Sequence, residues 1–494
     1  MPLAYAPFYL FPLAILLPTL LFVLWQWRQQ DLSSSALARR AALQGFLFGL
    51  GMFGVGVSWI YVSLYNFGNM NAPLAIVAVI LFVSILALFP AIMGGLQARF
   101  YNRSPLVHGA LLLAPLWVLL EWTRGWIFTG FPWLHLGYSQ TISPLGQLAP
   151  WLGVYGVSFV TAVTAALLAA WWLQPRTKVT VIAGIIIIWA VSGLSGFVQW
   201  VQPKGDVVNI ALVQGNVSLR DKWSAGALPR ILQNYQTLSR QATEAEIIIW
   251  PEAAIPTYLD NLSLAFKNKL ANNSKLNDNK SRPQHYLVGI VEREKNRQGW
   301  ATYNSVAHFG QGETQVYRKR HLVPFGEFLP LKPLLGWLIK YLHIPMSDFS
   351  SGPKDVNTLK VGNVVVGLSI CYEDAFGEEV IQALPQADFL VNVSEDAWFG
   401  DSLAPHQRLQ MAQVRAMESG RYMVRAANTG PSVVINHRGQ ILARSPQFVT
   451  TVLSAKVQPM QGMTPYARTG NGLIISLMVV LLMVAGLIHF NRKL

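Results

Sequence analysis

The sequence predicts an α-helical membrane bundle of several spans joined to an α/β domain with covered sheets. Three observations predict it. The 494 residues are 52% hydrophobic and only 13% charged, with a mean hydropathy of +0.35, which is too apolar for one soluble domain. Long uncharged stretches crowd the first 203 residues and the C-terminus. Between them, residues 204–468 alternate strand-like and helix-like segments.

Charge follows the same division. Residues 204–468 hold 28 Lys and Arg against 22 Asp and Glu, whereas the remainder holds 10 against 2. The first balance is that of a soluble surface. The second is that of a membrane segment with basic flanks, so nucleic acid is not an expected partner. One cysteine excludes an internal disulfide but does not fix the compartment. The nine histidines show no H-x-x-x-H spacing and no Cys/His cluster, so no metal and no cofactor is expected.

Six apolar stretches precede residue 204, near 7–27, 42–64, 72–97, 105–123, 146–173 and 179–201, and a seventh lies at 473–490. Each approaches the ~20 residues that cross hydrocarbon as a helix. The positive-inside rule orients them. Arg28, Arg39 and Arg40, then Arg99 and Arg103, then Arg176 and Lys178, then Arg492 and Lys493 fall in alternate connections or the tail. All four groups are cytoplasmic in one topology, which puts residues 204–468 and the short N-terminus on the other side. Arg124, in EWTRGW, is the exception, and Glu121 one turn earlier is its expected partner. The start MPLAYAP has no basic n-region and no small-residue cleavage site, so it is not a signal peptide.

In the soluble block, residues 207–217, 246–254, 285–294, 301–310, 364–373, 388–399 and 431–442 read as strands, being apolar, often β-branched and bounded by Gly, Asn or Pro. Residues 228–245 and 405–427 read as amphipathic helices. Residues 273–284 read as a polar surface loop. Residues 329–350 are apolar without being a credible strand or span, and suit a loop or short helix lying on the membrane face.

Three strand-end residues stand out. Glu252 follows IIIWP, Lys319 sits in YRKRHLVPFGEF, and Cys371 ends VVVGLSIC. A charged or nucleophilic residue directly after a buried strand projects at the sheet edge, where α/β sites form. Only a few per cent of an ordinary thiol is thiolate at neutral pH, so a nucleophilic cysteine needs a base. A carboxylate takes the proton, and a lysine stabilises the thiolate and the oxyanion that forms on a carbonyl. Together the three residues make an acyl-transfer site with a thioester intermediate. Taken singly, each has a plainer reading: Cys371 as a small core residue, Glu252 as a helix-start acid after Pro251, and Lys319 as solvated surface.

WPEAAIP, YRKRHLVPFGEFLP, ICYEDAF and EDAWFG resemble the motifs of the nitrilase superfamily, carbon–nitrogen hydrolases with a Glu–Lys–Cys triad. GFPWLHLGYSQ before the block and TPYARTGN after it narrow the resemblance to the apolipoprotein N-acyltransferases of bacterial inner membranes, over nearly the whole chain. That resemblance implies a nitrilase-like four-layer α-β-β-α sandwich at 204–468, a transmembrane bundle at 1–203, and a C-terminal helix with a cytoplasmic tail at 469–494. It also implies a periplasmic catalytic domain and a monomer. Carried over by motif, Glu252 is the general base, Lys319 the oxyanion-stabilising lysine and Cys371 the nucleophile. Glu327 is a second acid beside the lysine, Tyr372 and Glu373 are site neighbours, and Trp223 of DKW lies at substrate entry. The implied substrates are a phospholipid acyl donor and a diacylglyceryl apolipoprotein acceptor, both held in the bilayer.

Two departures accompany the resemblance. The family pattern S-N-D-A-W-F reads Ser394–Glu395–Asp396–Ala397–Trp398–Phe399 here, so an acid replaces an amide near the site. Family members also have eight spans where seven are counted; an additional upstream helix or a shortened chain would each account for the difference. The rival readings are a membrane-tethered amidase using water, a transporter with a binding domain, and an inactive nitrilase fold that binds lipoproteins. Against the transporter, the spans carry almost no ionisable residues besides Glu121 and His108.

Overall fold

The computed structural model describes residues 1–27, 33–102, 104–272, 284–297, 299–310, 314–330 and 348–491. The helices Ala72–Arg99, Pro105–Arg124, Pro144–Leu173, Pro175–Ser195 and Gly472–Asn491 are each long and apolar enough to cross a membrane. Ser34–Gly56 and Ile60–Asn66 make a sixth span if the pair, bent by 54°, is counted as one. The first expected span forms only the 14-residue helix Leu13–Gln26, short of the ~20 residues a straight crossing needs. Pro7 and Pro12 hold back its start, because proline lacks the N–H donor and disfavours helix in the residue before it. Ile80, Leu81, Ile186 and Ile187 turn outward from the bundle, as side chains facing lipid do.

Inside the bundle, Arg124 donates to the carbonyls of Phe131 and Trp133, rather than serving simply as the expected partner of Glu121. Glu121 accepts from the Trp117 indole N–H at 2.9 Å and the Leu136 backbone N–H at 2.8 Å. Both residues therefore fix the turn 130–136 that links the bundle to the second domain.

That domain is built on two six-stranded sheets. The strands in chain order are β1 (Val201–Pro203), β2 (Val208–Gln214), β3 (Ile247–Tyr258), β4 (His285–Asn296), β5 (Gly299–Phe309), β6 (Gln315–Arg318) and β7 (Thr358–Val361). They continue as β8 (Val364–Ile370), β9 (Phe389–Ser394), β10 (Met423–Ala427), β11 (Val433–Ile435), β12 (Ile441–Arg444), β13 (Thr451–Val457) and β14 (Met460–Gly462). One sheet has the order β13-β2-β3-β4-β5-β6 and the other β12-β11-β10-β9-β8-β7, while β1 and β14 pair separately. The central pairs β2–β3, β3–β4, β8–β9 and β9–β10 are parallel.

The period-2 alternation of the strands assigns their faces. Ile247 and Ile249 of β3 join Val366, Leu368, Val391 and Val393 in one core between the sheets. Ile248 and Trp250, one step out of phase, pack instead on Ile231, Tyr235 and Leu238 of helix Ala227–Gln241. Leu390 and Met423 likewise meet Leu409, Ala412 and Ala416 of helix Leu403–Ser419 on the outer face of the second sheet. The layers are therefore helix, sheet, sheet, helix, and each fully buried Ile or Leu side chain contributes about 1.5–3 kcal/mol.

The helix expected over 405–427 ends at Ser419. Gly420 is left-handed at φ +65°, and the chain then re-enters the sheet as β10. A left-handed residue after the last turn is the ordinary helix stop, and glycine adopts it without a Cβ penalty. The same helix carries the domain's main contact with the bundle. Gln407 Oε1 accepts from the indole N–H groups of Trp59 at 3.2 Å and Trp133 at 2.9 Å, and its Nε2 donates to the Gly56 carbonyl at 2.9 Å. The expected loop at 273–284 and membrane-face segment at 329–350 lie mostly outside the described residues.

Candidate active site

The ends of β6 and β8 and the middle of β3 meet between the two sheets, so Glu252 is not at a strand end as the sequence suggested. β8 ends at Ile370, and Cys371 follows in a left-handed conformation, φ +51°. A non-glycine residue there costs on the order of 1–3 kcal/mol and persists only where the surroundings enforce it. The enforcing contact is Glu373, two residues on. Its Oε2 accepts from the Ile370 N–H at 2.6 Å and the Tyr317 hydroxyl at 2.8 Å, and its Oε1 accepts from the N–H groups of Arg320 at 2.7 Å and His321 at 3.1 Å. Glu373 thus clamps the cysteine turn to the segment that bears Lys319. Burial pushes its carboxyl up against the opposing pull of Lys319 and those N–H donors.

Glu252 lies within β3 and is followed by a second left-handed residue, Ala253 at φ +44°. Its Oε1 accepts from Asn304 Nδ2 at 2.7 Å, and its Oε2 from the Glu395 backbone N–H at 2.8 Å. Burial raises its pKa, Lys319 opposes that rise, and Glu327 adds to it. A carboxylate so placed accepts a proton more readily than a solvated one.

Lys319 follows β6 and is 1% exposed, so the surface reading of the RKRH cluster does not apply to it. Its Nζ lies 2.8 Å from Glu327 Oε2 and 3.9 Å from Glu252 Oε1. Burial lowers its pKa, but Glu327, Glu252 and Cys371 together outweigh burial and hold the ammonium charged. Glu327 also accepts from Asn304 Nδ2 at 2.9 Å and from the Val323 N–H at 2.8 Å. Asn304 therefore bridges the two acids and fixes their spacing.

Cys371 is 8% exposed. Burial is the main force pushing its thiol up to about 12, Arg408 and Lys319 pull it down, and Glu252 and Asp396 push it up. Its carbonyl accepts from Asn392 Nδ2 at 3.1 Å. Such a thiol needs local proton transfer and positive partners to ionise near neutral pH.

Tyr372 ties this turn to the bundle. Its hydroxyl donates to the Gly130 carbonyl at 2.7 Å, and its ring stacks on Trp133 at 6.0 Å between centroids. The GFPW segment is thus the floor beneath the cysteine turn. Gly130, at φ +89°, has no room for a side chain: a Cβ would lie 2.2 Å from the Gly125 carbonyl oxygen.

Glu252, Lys319, Cys371, Glu327, Tyr372 and Glu373 converge; Trp223 stands apart, 44% exposed at the end of the short helix Leu219–Lys222. Its neighbour Lys222 is the residue that turns inward, donating to Glu395 Oε2 at 2.6 Å and to the Glu252 carbonyl at 3.4 Å. Sequence reasoning did not single out Lys222, Asn304 or Arg408. The signal for Lys222 was Glu395 itself, since an acid in place of an amide at a buried position demands a cation. Nothing local marked Asn304 or Arg408, which lie mid-strand and mid-helix.

Residues 1–167 match the family model of the apolipoprotein N-acyltransferase N-terminal domain, and residues 209–466 match that of the carbon-nitrogen hydrolases. The chain is 43% identical over 491 residues to the apolipoprotein N-acyltransferase of Nitrosomonas europaea, covering 99% of this chain and 95% of that protein. It is 42% identical over 475 residues to that of Methylococcus capsulatus, covering 95% and 90%, and 37% identical over 487 residues to that of Coxiella burnetii, covering 98% and 97%.

Proposed function

The chain belongs to the apolipoprotein N-acyltransferase family, and from that membership and the site's geometry we propose that Cys371 carries the fatty acyl group as a thioester between two lipid substrates. The protein is an acyltransferase of lipoprotein N-acylation, with phospholipid and lipoprotein as its substrates. The observation that carries the mechanism is the convergence of a proton-hungry carboxylate and a charged buried lysine from one sheet with the lone cysteine from the other.

In the first half-reaction Glu252 takes the Cys371 thiol proton. The sulfur attacks the ester carbonyl of a phospholipid, and Lys319 stabilises the oxyanion. The tetrahedral species collapses, the C–O bond to glycerol breaks, and Glu252-H protonates the departing lysophospholipid oxygen. In the second half-reaction the N-terminal amine of a diacylglyceryl-cysteine attacks the thioester, the C–S bond breaks, and Glu252 again receives the proton. Glu327 and Asn304 hold Lys319 and Glu252 in register for both.

The catalytic domain at 204–468 faces the periplasm in this reading, the chain acts as a monomer, and the C-terminus is cytoplasmic. The placement of Lys and Arg in alternate connections supports that orientation. Substrates anchored by acyl chains reach such a site laterally, whereas extraction into water would cost about 0.8 kcal/mol per CH₂. In this reading Trp223 contributes to substrate entry, which its exposure next to Lys222 supports.

The test is mass spectrometry of the purified protein after incubation with phospholipid. One acyl mass, released by hydroxylamine and transferred to a diacylated lipopeptide, is expected on the wild-type protein and absent from Cys371→Ala. An adduct that persists in Cys371→Ala overturns the assignment.

A further inference from the structure

The thioester route asks the Cys371 sulfur to be negatively charged twice, once as it attacks and once as it leaves. Burial opposes that charge, and Lys319 is committed to Glu327 at 2.8 Å and lies near Glu252 at 3.9 Å. A second cation touches the cysteine itself. Arg408, in helix Leu403–Ser419, is 1% exposed, and its Nη1 donates to Cys371 Sγ at 3.4 Å.

Its guanidinium is fixed by three further contacts. Nη1 also donates to Asp396 Oδ1 at 2.9 Å, and Nη2 donates to Asp374 Oδ1 at 3.2 Å and Ser394 Oγ at 3.1 Å. Both carboxylates are shared with Arg425, whose Nη2 donates to each Asp396 oxygen at 2.8 Å and whose Nε lies 3.8 Å from Asp374. Two arginines thus balance two aspartates, and Arg408 is not left searching for a counter-charge. Asp374 and Asp396 belong to the two loops, ICYEDAF and SEDAWF, that frame the cysteine, so the guanidinium plane is preorganised by the loops whose chemistry it serves.

We propose that Arg408 is a catalytic residue that stabilises the Cys371 thiolate by a fixed charge-assisted N–H···S contact, both when the sulfur attacks the phospholipid ester and when it leaves the thioester. The proposal rests on Cys371 being the nucleophile. The proton goes from Sγ to the Glu252 carboxylate, the C–S bond forms to give the tetrahedral species, the C–O bond breaks as that species collapses with the proton passing to the departing oxygen, and Arg408 gains and loses nothing. It offers a donor at the charged atom, where preorganised hydrogen bonds are most effective. A purely structural arginine would instead hold the two loops together and leave the sulfur's ionisation unchanged.

The test uses the full-length protein in detergent with Arg408→Gln/Asp374→Asn, which removes the cation together with one acid, and Arg408→Lys, which keeps the charge and loses the fork. Single-turnover acylation by phospholipid and alkylation of Cys371 by iodoacetamide across pH are both followed. Acylation by the double variant is expected to slow about 10²–10³-fold, and its alkylation midpoint to move to higher pH, with Arg408→Lys falling between it and the wild type. Wild-type acylation rates in the double variant overturn the proposal. So does slowed acylation with an unmoved alkylation midpoint, which would make Arg408 structural. If the double variant shows no melting transition, Arg408→Lys decides: unchanged acylation and an unchanged midpoint overturn the proposal, and changes in both support it. A wild-type protein that forms no acyl adduct removes the thioester reading itself, a result distinct from either arginine outcome.

Discussion

Lys222 Nζ lies 2.6 Å from Glu395 Oε2, and both side chains are almost fully buried. The same carboxylate accepts from Asn428 Nδ2 at 2.9 Å, while the Glu395 N–H holds Glu252 Oε2 at 2.8 Å. The acid that departs from the family's S-N-D-A-W-F pattern is therefore part of a buried ion pair that backs Glu252, the proposed general base. Removing one partner leaves an uncompensated buried charge, at a cost of about 3–5 kcal/mol. Glu395→Gln should destabilise by that amount, and Lys222→Met/Glu395→Gln by much less. Thermal melts of the three proteins check it; equal losses in the single and double variants would refute the coupling.

Lys319→Ala should lose about 10²–10³-fold in acylation. Glu252 would lose the ammonium that opposes its rise in pKa, so the base would be protonated over a wider range of pH. The rate should then climb with pH to a higher midpoint than in the wild type. A rate–pH profile of acyl-enzyme formation measures both effects, and full activity would refute the oxyanion role of Lys319.

Cys371 has a thiol pushed up to about 12, chiefly by burial. A group whose pKa is raised keeps its proton through neutral pH, so alkylation by a small neutral reagent should be slow at pH 7 and rise steadily with pH. Unfolding removes the burial, and the thiol should then titrate near the ordinary cysteine value of about 8.5. Alkylation of native and denatured protein across pH compares the two; coincident profiles would contradict the buried-thiol geometry.

Tyr372→Phe keeps the stack on Trp133 and loses the 2.7 Å bond to the Gly130 carbonyl. The carbonyl is left without that donor in a buried turn, a loss of about 1–3 kcal/mol. A lower melting temperature with slower acylation is expected. Trp133→Ala should be worse, because it also removes the indole donor to Gln407 Oε1 at 2.9 Å. Ranking the two variants by melting temperature and acylation rate tests the floor beneath the cysteine.

The sequence by itself determined which segments are apolar enough for membrane helices and which alternate as strands. It also singled out the acid, the lysine and the thiol as chemically special. These are local properties: hydrophobic period, strand-end position and residue type are all encoded within about ten residues. It did not determine the break at Gly420, where one apolar-patterned stretch divides into a helix and strand β10, because both elements are buried almost throughout and the burial pattern does not change at the break. Nor did it reveal Asn304 between Glu252 and Glu327, Lys222 beneath Glu395, or Arg408 on the cysteine sulfur. Those partners lie 23–173 residues apart in the chain. Only the packing of two sheets and a helix brings them within hydrogen-bond range, and only in that low-dielectric setting does each buried charge require the partner it has.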